Sequence, residues 1–71
     1  MPRELHKYRQ IAAALRERIT SGDLQPGDPV PSAKTLAQEF DTSLETARKA
    51  LRLLLSEDLI EFAAGLNFYV K

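Results

Sequence analysis

This 71-residue sequence predicts a mainly α fold with a small β-hairpin: three helices plus a two-stranded wing, a winged helix-turn-helix. Three observations carry the prediction. Apolar residues recur at spacings of three and four up to Thr20. Two short helical segments, meeting at Asp41-Thr42-Ser43, follow a proline-rich loop. Two short β-prone runs around a glycine close the chain.

The first helix is expected from about Leu5 to Thr20. Tyr8, Ile11, Ala12, Leu15 and Ile19 form one apolar stripe, and Lys7, Gln10, Glu17 and Arg18 lie off it. Gly22 stands where a helix C′ glycine belongs. Residues 23–31 hold three of the four prolines and Gly27. Pro26-Gly27 favours a tight turn, and each proline drives the residue before it toward extended backbone. This predicts a stiff ordered loop with Leu24 and Val30 in the core.

Ser32 is a good N-cap for the second helix, whose inner face is Leu36, Ala37 and Phe40. Asp41 stands where such a corner often needs a positive φ, and Asp tolerates it second only to glycine. Either Ser43, or Thr42 with Glu45 as a capping box, starts the third helix. Its inner face is Ala47, Ala50, Leu51 and Leu54, with Leu55 at the edge. Its outer face carries Glu45, Lys49, Arg52 and Ser56, with Arg48 on the flank. Leu59–Phe62 and Phe68–Val70 are the strands, and Ala63-Ala64-Gly65-Leu66-Asn67 suits a hairpin loop.

The composition excludes much. There is no cysteine, so a disulfide or thiolate framework is absent and a reducing compartment is the default. The apolar runs are too short to span a bilayer, and no signal-peptide core precedes the first helix. No membrane partner is expected, and the expected location is the cytoplasm. His6 is the single imidazole, so neither a metal nor a cofactor is called for. There is no Ser-His-Asp set, phosphate-cradling glycine loop or paired carboxylates, so the chain does not read as an enzyme. Nor does it leave room for a small-molecule pocket of ordinary size.

Ten basic residues balance ten acidic ones, which disfavours tight nonspecific nucleic-acid binding. The charge is unevenly spread. Residues 1–20 carry Arg3, Lys7, Arg9, Arg16 and Arg18 against Glu4 and Glu17. Residues 21–44 carry Lys34 against Asp23, Asp28, Glu39 and Asp41. Arg9, Arg16 and Arg18 are read as a solvated face.

The motifs Tyr8-Arg9-Gln10-Ile11, Ser21-Gly22-Asp23-Leu24, Pro26-Gly27-Asp28, Pro31-Ser32, Leu36-Ala37, Thr46-Ala47-Arg48 and Leu59-Ile60-Glu61 span nearly the whole chain in order. In these the sequence resembles the N-terminal winged helix of the GntR family of bacterial transcription regulators. The Pro-Gly-Asp loop followed by Pro-Ser is the specific part. The resemblance implies that residues 1–71 form a DNA-binding domain of the kind that usually precedes a larger effector-binding and dimerising domain. No such second domain is present in these residues.

The departures from the family fall at DNA-contacting positions. The resemblance places an arginine two residues after the Pro-Ser serine, where this chain has Lys34. It places another after the serine that caps the recognition helix, where this chain has Leu44. The arginine one turn further on is kept as Arg48. Basic wing residues are replaced by Phe62, Ala63, Leu66 and Asn67, with Gly65 matching.

Two functions stay open. The favoured one is a sequence-specific transcription regulator, activator or repressor, whose third helix enters the major groove of double-stranded DNA. Ser32, Lys34, Ser43, Glu45, Thr46, Arg48, Lys49 and Arg52 are its candidate DNA-binding residues. An arginine bidentate to guanine supplies ~1–3 kcal/mol of discrimination. The blander reading pairs Glu45 with Arg48 and Lys49 along the helix, each pair worth about 0.2–0.5 kcal/mol. The alternative function is a protein-interaction module that has lost DNA binding. Phe62, Leu66, Phe68 and Tyr69 form its candidate surface, through which a second copy or a protein partner would bind.

Overall fold

The computed structural model describes residues 3–63 and 67–71, with side chains from Lys7 onward. The expectations for the His6 side chain, for Gly65 and for Leu66 lie outside the described residues. The order is α1 (Arg3–Thr20), α2 (Ala33–Glu39), α3 (Leu44–Ser56), β1 (Ile60–Ala63) and β2 (Asn67–Val70). The three helices and the antiparallel two-stranded sheet make the expected winged helix-turn-helix.

The α1 stripe packs as its spacing requires. Ile11, Ala12 and Leu15 are buried, with Tyr8 and Ile19 partly covered at its ends. They meet Leu36 of α2, Ala47, Ala50, Leu51 and Leu54 of α3, and Ile60 and Val70 of the wing. Leu24 and Val30 complete this single core, as predicted.

Each helix has its ends defined by local chemistry. Ser32 Oγ accepts from Thr35 N at 3.2 Å and Ser43 Oγ accepts from Thr46 N at 3.1 Å, so Ser43 rather than Thr42 caps α3. Asp41 has φ 52°, as expected. Thr42 N donates to Ala37 O (2.9 Å) and Asp41 N to Gln38 O (3.3 Å), the paired bonds of a Schellman motif. The same motif ends α3, where Asp58 has φ 64° and Leu59 N donates to Leu54 O at 3.2 Å. Both corners thus use an aspartate in the left-handed region where glycine is the common choice.

Gly22, at φ +88°, closes α1, and a Cβ built there meets nothing within 4 Å. A Gly22→Ala substitution is therefore expected to act through the backbone alone. It should destabilise the fold by about 1–2 kcal/mol, read as a lower urea midpoint with an unchanged m-value.

The loop before α2 is more than stiff. Pro26-Gly27 forms a turn in which Gly27 has φ +92° and Asp28 N donates to Gln25 O at 2.9 Å. Gly27 N then donates to Val70 O (2.8 Å) and Val30 N to Phe68 O (2.9 Å), while Asp28 O accepts from Val70 N (3.0 Å). Prolines 26, 29 and 31 have no N–H, so the three donors between residues 26 and 31 are all satisfied. The loop thereby lies along β2 and anchors the wing to the helices.

The wing register pairs Ile60 with Val70, Glu61 with Tyr69, Phe62 with Phe68 and Ala63 with Asn67. Ile60, Phe62, Phe68 and Val70 share one face by strand alternation. Ile60 and Val70 are buried where that face meets the core, Phe68 is half-buried, and Phe62 is 56% exposed. Tyr69, on the other face, is half-buried.

Arg9, Arg16 and Arg18 of α1 stay at the surface, as expected, but two of them are ion-paired. Arg16 donates to both Glu57 oxygens, at 3.0 and 2.8 Å, linking α1 to the end of α3. Arg18 pairs with Asp23 at 3.0 Å, and the Arg9 guanidinium lies 5.9 Å from the Tyr8 ring centre. The Arg16 and Arg18 charges are thus already paired within the domain. Among the described residues no helix is long and apolar enough to cross a membrane.

Candidate nucleic-acid interface

The buried face of α3 dictates its exposed one. With Ala47, Ala50, Leu51 and Leu54 turned to the core, the helical period turns Glu45, Arg48, Lys49 and Arg52 outward. The Glu45, Arg48 and Arg52 side chains are 58–61% exposed. Four charged groups on one helix face carry three positive charges and one negative.

Their pairing keeps the expected Glu45–Arg48 contact and replaces Lys49 by Arg52. Arg52 Nη2 donates to Glu45 Oε2 at 2.8 Å, two helical turns along the same face. Arg48 Nη1 lies 3.9 Å from Glu45 Oε1, a looser contact. Lys49, expected beside Glu45, makes no ion pair among the described residues. The seven-residue spacing of Glu45 and Arg52 was the available signal, since it places both on one stripe.

Thr46 does not join this face. It is 3% exposed, with its hydroxyl 2.8 Å from Ser43 Oγ and its N–H on the same oxygen. Thr46, Ala50 and Leu54 lie four residues apart, on the inward side, and that spacing foretold its burial. Ser43 and Ser32 are exposed, but each hydroxyl also serves as a cap. Lys34 is exposed on the first turn of α2.

A groove of about 450 Å³ runs between α3 and the wing. Ser32, Glu45, Arg48 and Arg52 line one side, Asn67 and Phe68 the other, and Val30 and Leu51 lie along it. This corrects the expectation that the chain has no room for a pocket of ordinary size. The groove is open, with charged side chains of α3 and the apolar Val30, Ala33, Leu51 and Phe68 both lining it. Lys49 lies outside it, beside Tyr8 and Leu53, on a shallower surface that shares Glu45 and Arg52.

Phe68 packs against the core, and its ring meets Phe62 edge-to-face with centres 5.1 Å apart. Of the four wing residues expected to form an apolar surface, Phe62 is largely open, Phe68 and Tyr69 are half-covered, and Leu66 is outside the described residues. Among the described residues, no three His, Cys, Asp or Glu side chains gather as a metal site.

Comparison with known proteins agrees with this architecture. The family model for bacterial regulatory proteins of the gntR family matches residues 7–70. The mannosyl-D-glycerate transport/metabolism system repressor MngR of Escherichia coli is 45% identical over 64 residues, covering 90% of this chain and 27% of MngR. This chain therefore spans about a quarter of that relative's length. The solved structure of the AraR DNA-binding domain in complex with operator ORR3 superposes with a TM-score of 0.85 at 31% identity, covering 92% of this chain and 78% of that one. Streptococcal (S. agalactiae) BusR in complex with its busAB-promotor DNA gives a TM-score of 0.79 at 36% identity, covering 90% of this chain and 31% of that one.

Proposed function

This chain belongs to the gntR family of bacterial regulatory proteins, and from that premise we propose that residues 1–71 act as the DNA-binding domain of a transcription repressor. In this reading α3 lies in the major groove of duplex DNA, with Arg48, Lys49 and Arg52 toward the bases and phosphates. Ser32 and Lys34, at the start of α2, approach the backbone. The chain works in the bacterial cytoplasm, bound to the nucleoid.

The observation that carries the reading is the unpacked guanidinium face of α3, bordered by the wing groove. A helix-turn-helix positions its second helix for groove entry, and arginine offers the forked donors that match guanine. The solved relatives bound to operator or promoter DNA support the same direction. Operators usually present two half-sites, so a pair of these domains is expected to bind more tightly than one.

Titration with random duplex DNA at low salt tests the reading. Amide shifts clustered on α3 are expected, and shifts confined to the wing, or none, would overturn it. The balanced charge and the ion-paired Arg16 and Arg18 of α1 leave few cations for phosphates. The plot of log K against log salt is therefore expected to be shallow, with a slope of about −3 to −5. A slope near −10 would refute the few-contact interface.

A second reading has one observation behind it. Phe62, in β1 of the wing, is 56% exposed. Such surface favours association of the wing with a second copy or another protein. Sedimentation of Phe62→Ser against the unaltered chain tests it, and a strict monomer for both at high concentration would exclude self-association.

A further inference from the structure

The outward face of α3 carries a carboxylate where a phosphate-binding surface is best served by none. Glu45 stands in the first turn of α3, where the helix N-terminus favours a negative charge. From there it spans two turns: Oε2 accepts from Arg52 at 2.8 Å and Oε1 faces Arg48 at 3.9 Å. Both oxygens are thus turned to guanidinium groups, and all three side chains remain more than half exposed. Each guanidinium has five N–H donors, so the pairing leaves donors unused.

We propose that Glu45 is a specificity-determining residue that makes this arginine pair a reader of bases in preference to phosphates. This rests on the DNA-binding reading above. A phosphate approaching Arg48 or Arg52 brings its charge close to the Glu45 carboxylate and is repelled, whatever the local sequence. A base edge is neutral and meets no such repulsion, and a cytosine amine can donate to Glu45 directly. The carboxylate also restrains the Arg52 side chain, so less freedom is lost when a base engages it. Lys49, which makes no ion pair among the described residues, supplies the sequence-independent attraction.

The test compares the 71-residue chain with Glu45→Gln and Lys49→Gln. Each is titrated with a random-sequence duplex over a range of salt, and each is used to select from a randomised duplex pool. Glu45→Gln is expected to bind the random duplex about 3- to 5-fold more tightly, with the log K–log salt slope steeper by about 0.9. The sequences it selects should be less sharply defined. Lys49→Gln is expected to bind more weakly with a flatter slope. Thermal unfolding of each variant confirms that the fold is retained. A Glu45→Gln chain with the parent's slope and the parent's selected sequences would overturn the role of Glu45 and leave the DNA-binding reading standing. Absence of binding by all three proteins at low salt would overturn that reading and this one together.

Discussion

Arg48→Glu is expected to abolish duplex binding while the domain stays folded. Arg48 is on the outward face of α3, lines the wing groove, and has only a loose 3.9 Å contact with Glu45. Losing an arginine–guanine pair removes ~1–3 kcal/mol, and a carboxylate at this position adds repulsion from the phosphates. With tenfold per 1.4 kcal/mol, affinity should fall at least about 100-fold. Stability should change little, because substitutions at such exposed sites usually stay within about 0.5 kcal/mol. Arg48→Gln, which removes the charge without reversing it, should fall between the two. Fluorescence anisotropy on labelled duplex, with thermal unfolding alongside, checks the set. Unaltered affinity in Arg48→Glu would remove α3 from the interface.

The largest expected effect on stability is that of Leu54→Ala. Leu54 is fully buried in the core shared by α1, α3 and the wing. Truncating such a leucine costs ~2–5 kcal/mol through lost burial and the cavity left behind. A domain of this size has roughly 4–10 kcal/mol in total, so much of its stability goes. The melting temperature should drop by more than about 10 °C. Leu55→Ala is the matched comparison, since its side chain is 40% exposed one position further along the same helix. It should shift stability by about 0.5 kcal/mol or less. Equal effects from the two would mean that α3 buries a different face, and the outward set of Arg48, Lys49 and Arg52 would fall with it.

The two substitutions probe one geometric fact from opposite sides. Whatever α3 buries fixes what it offers, because side chains along a helix rotate by a set angle per residue. The apolar positions Ala47, Ala50, Leu51 and Leu54 therefore define the exposed face from the sequence alone. The polar character of Thr46 reads as surface, whereas the same periodicity sets it on the buried Ala50–Leu54 row.

Much of this domain is legible residue by residue because its signals are short-ranged. The α1 stripe, the Ser32 and Ser43 caps, the left-handed Asp41 and the Pro26-Gly27 turn each depend on neighbours within about four residues. The family resemblance, too, was carried by short motifs. What the linear order concealed is what joins distant parts of the chain. The proline loop lies along β2, more than forty residues away in sequence at its Gly27–Val70 bond. Arg16 reaches Glu57 across 41 positions. The groove between α3 and the wing exists because that loop holds the hairpin against the helices. Local conformational preference is a property of a few adjacent residues, whereas such pairings arise when the hydrophobic core closes and brings remote donors and acceptors within reach.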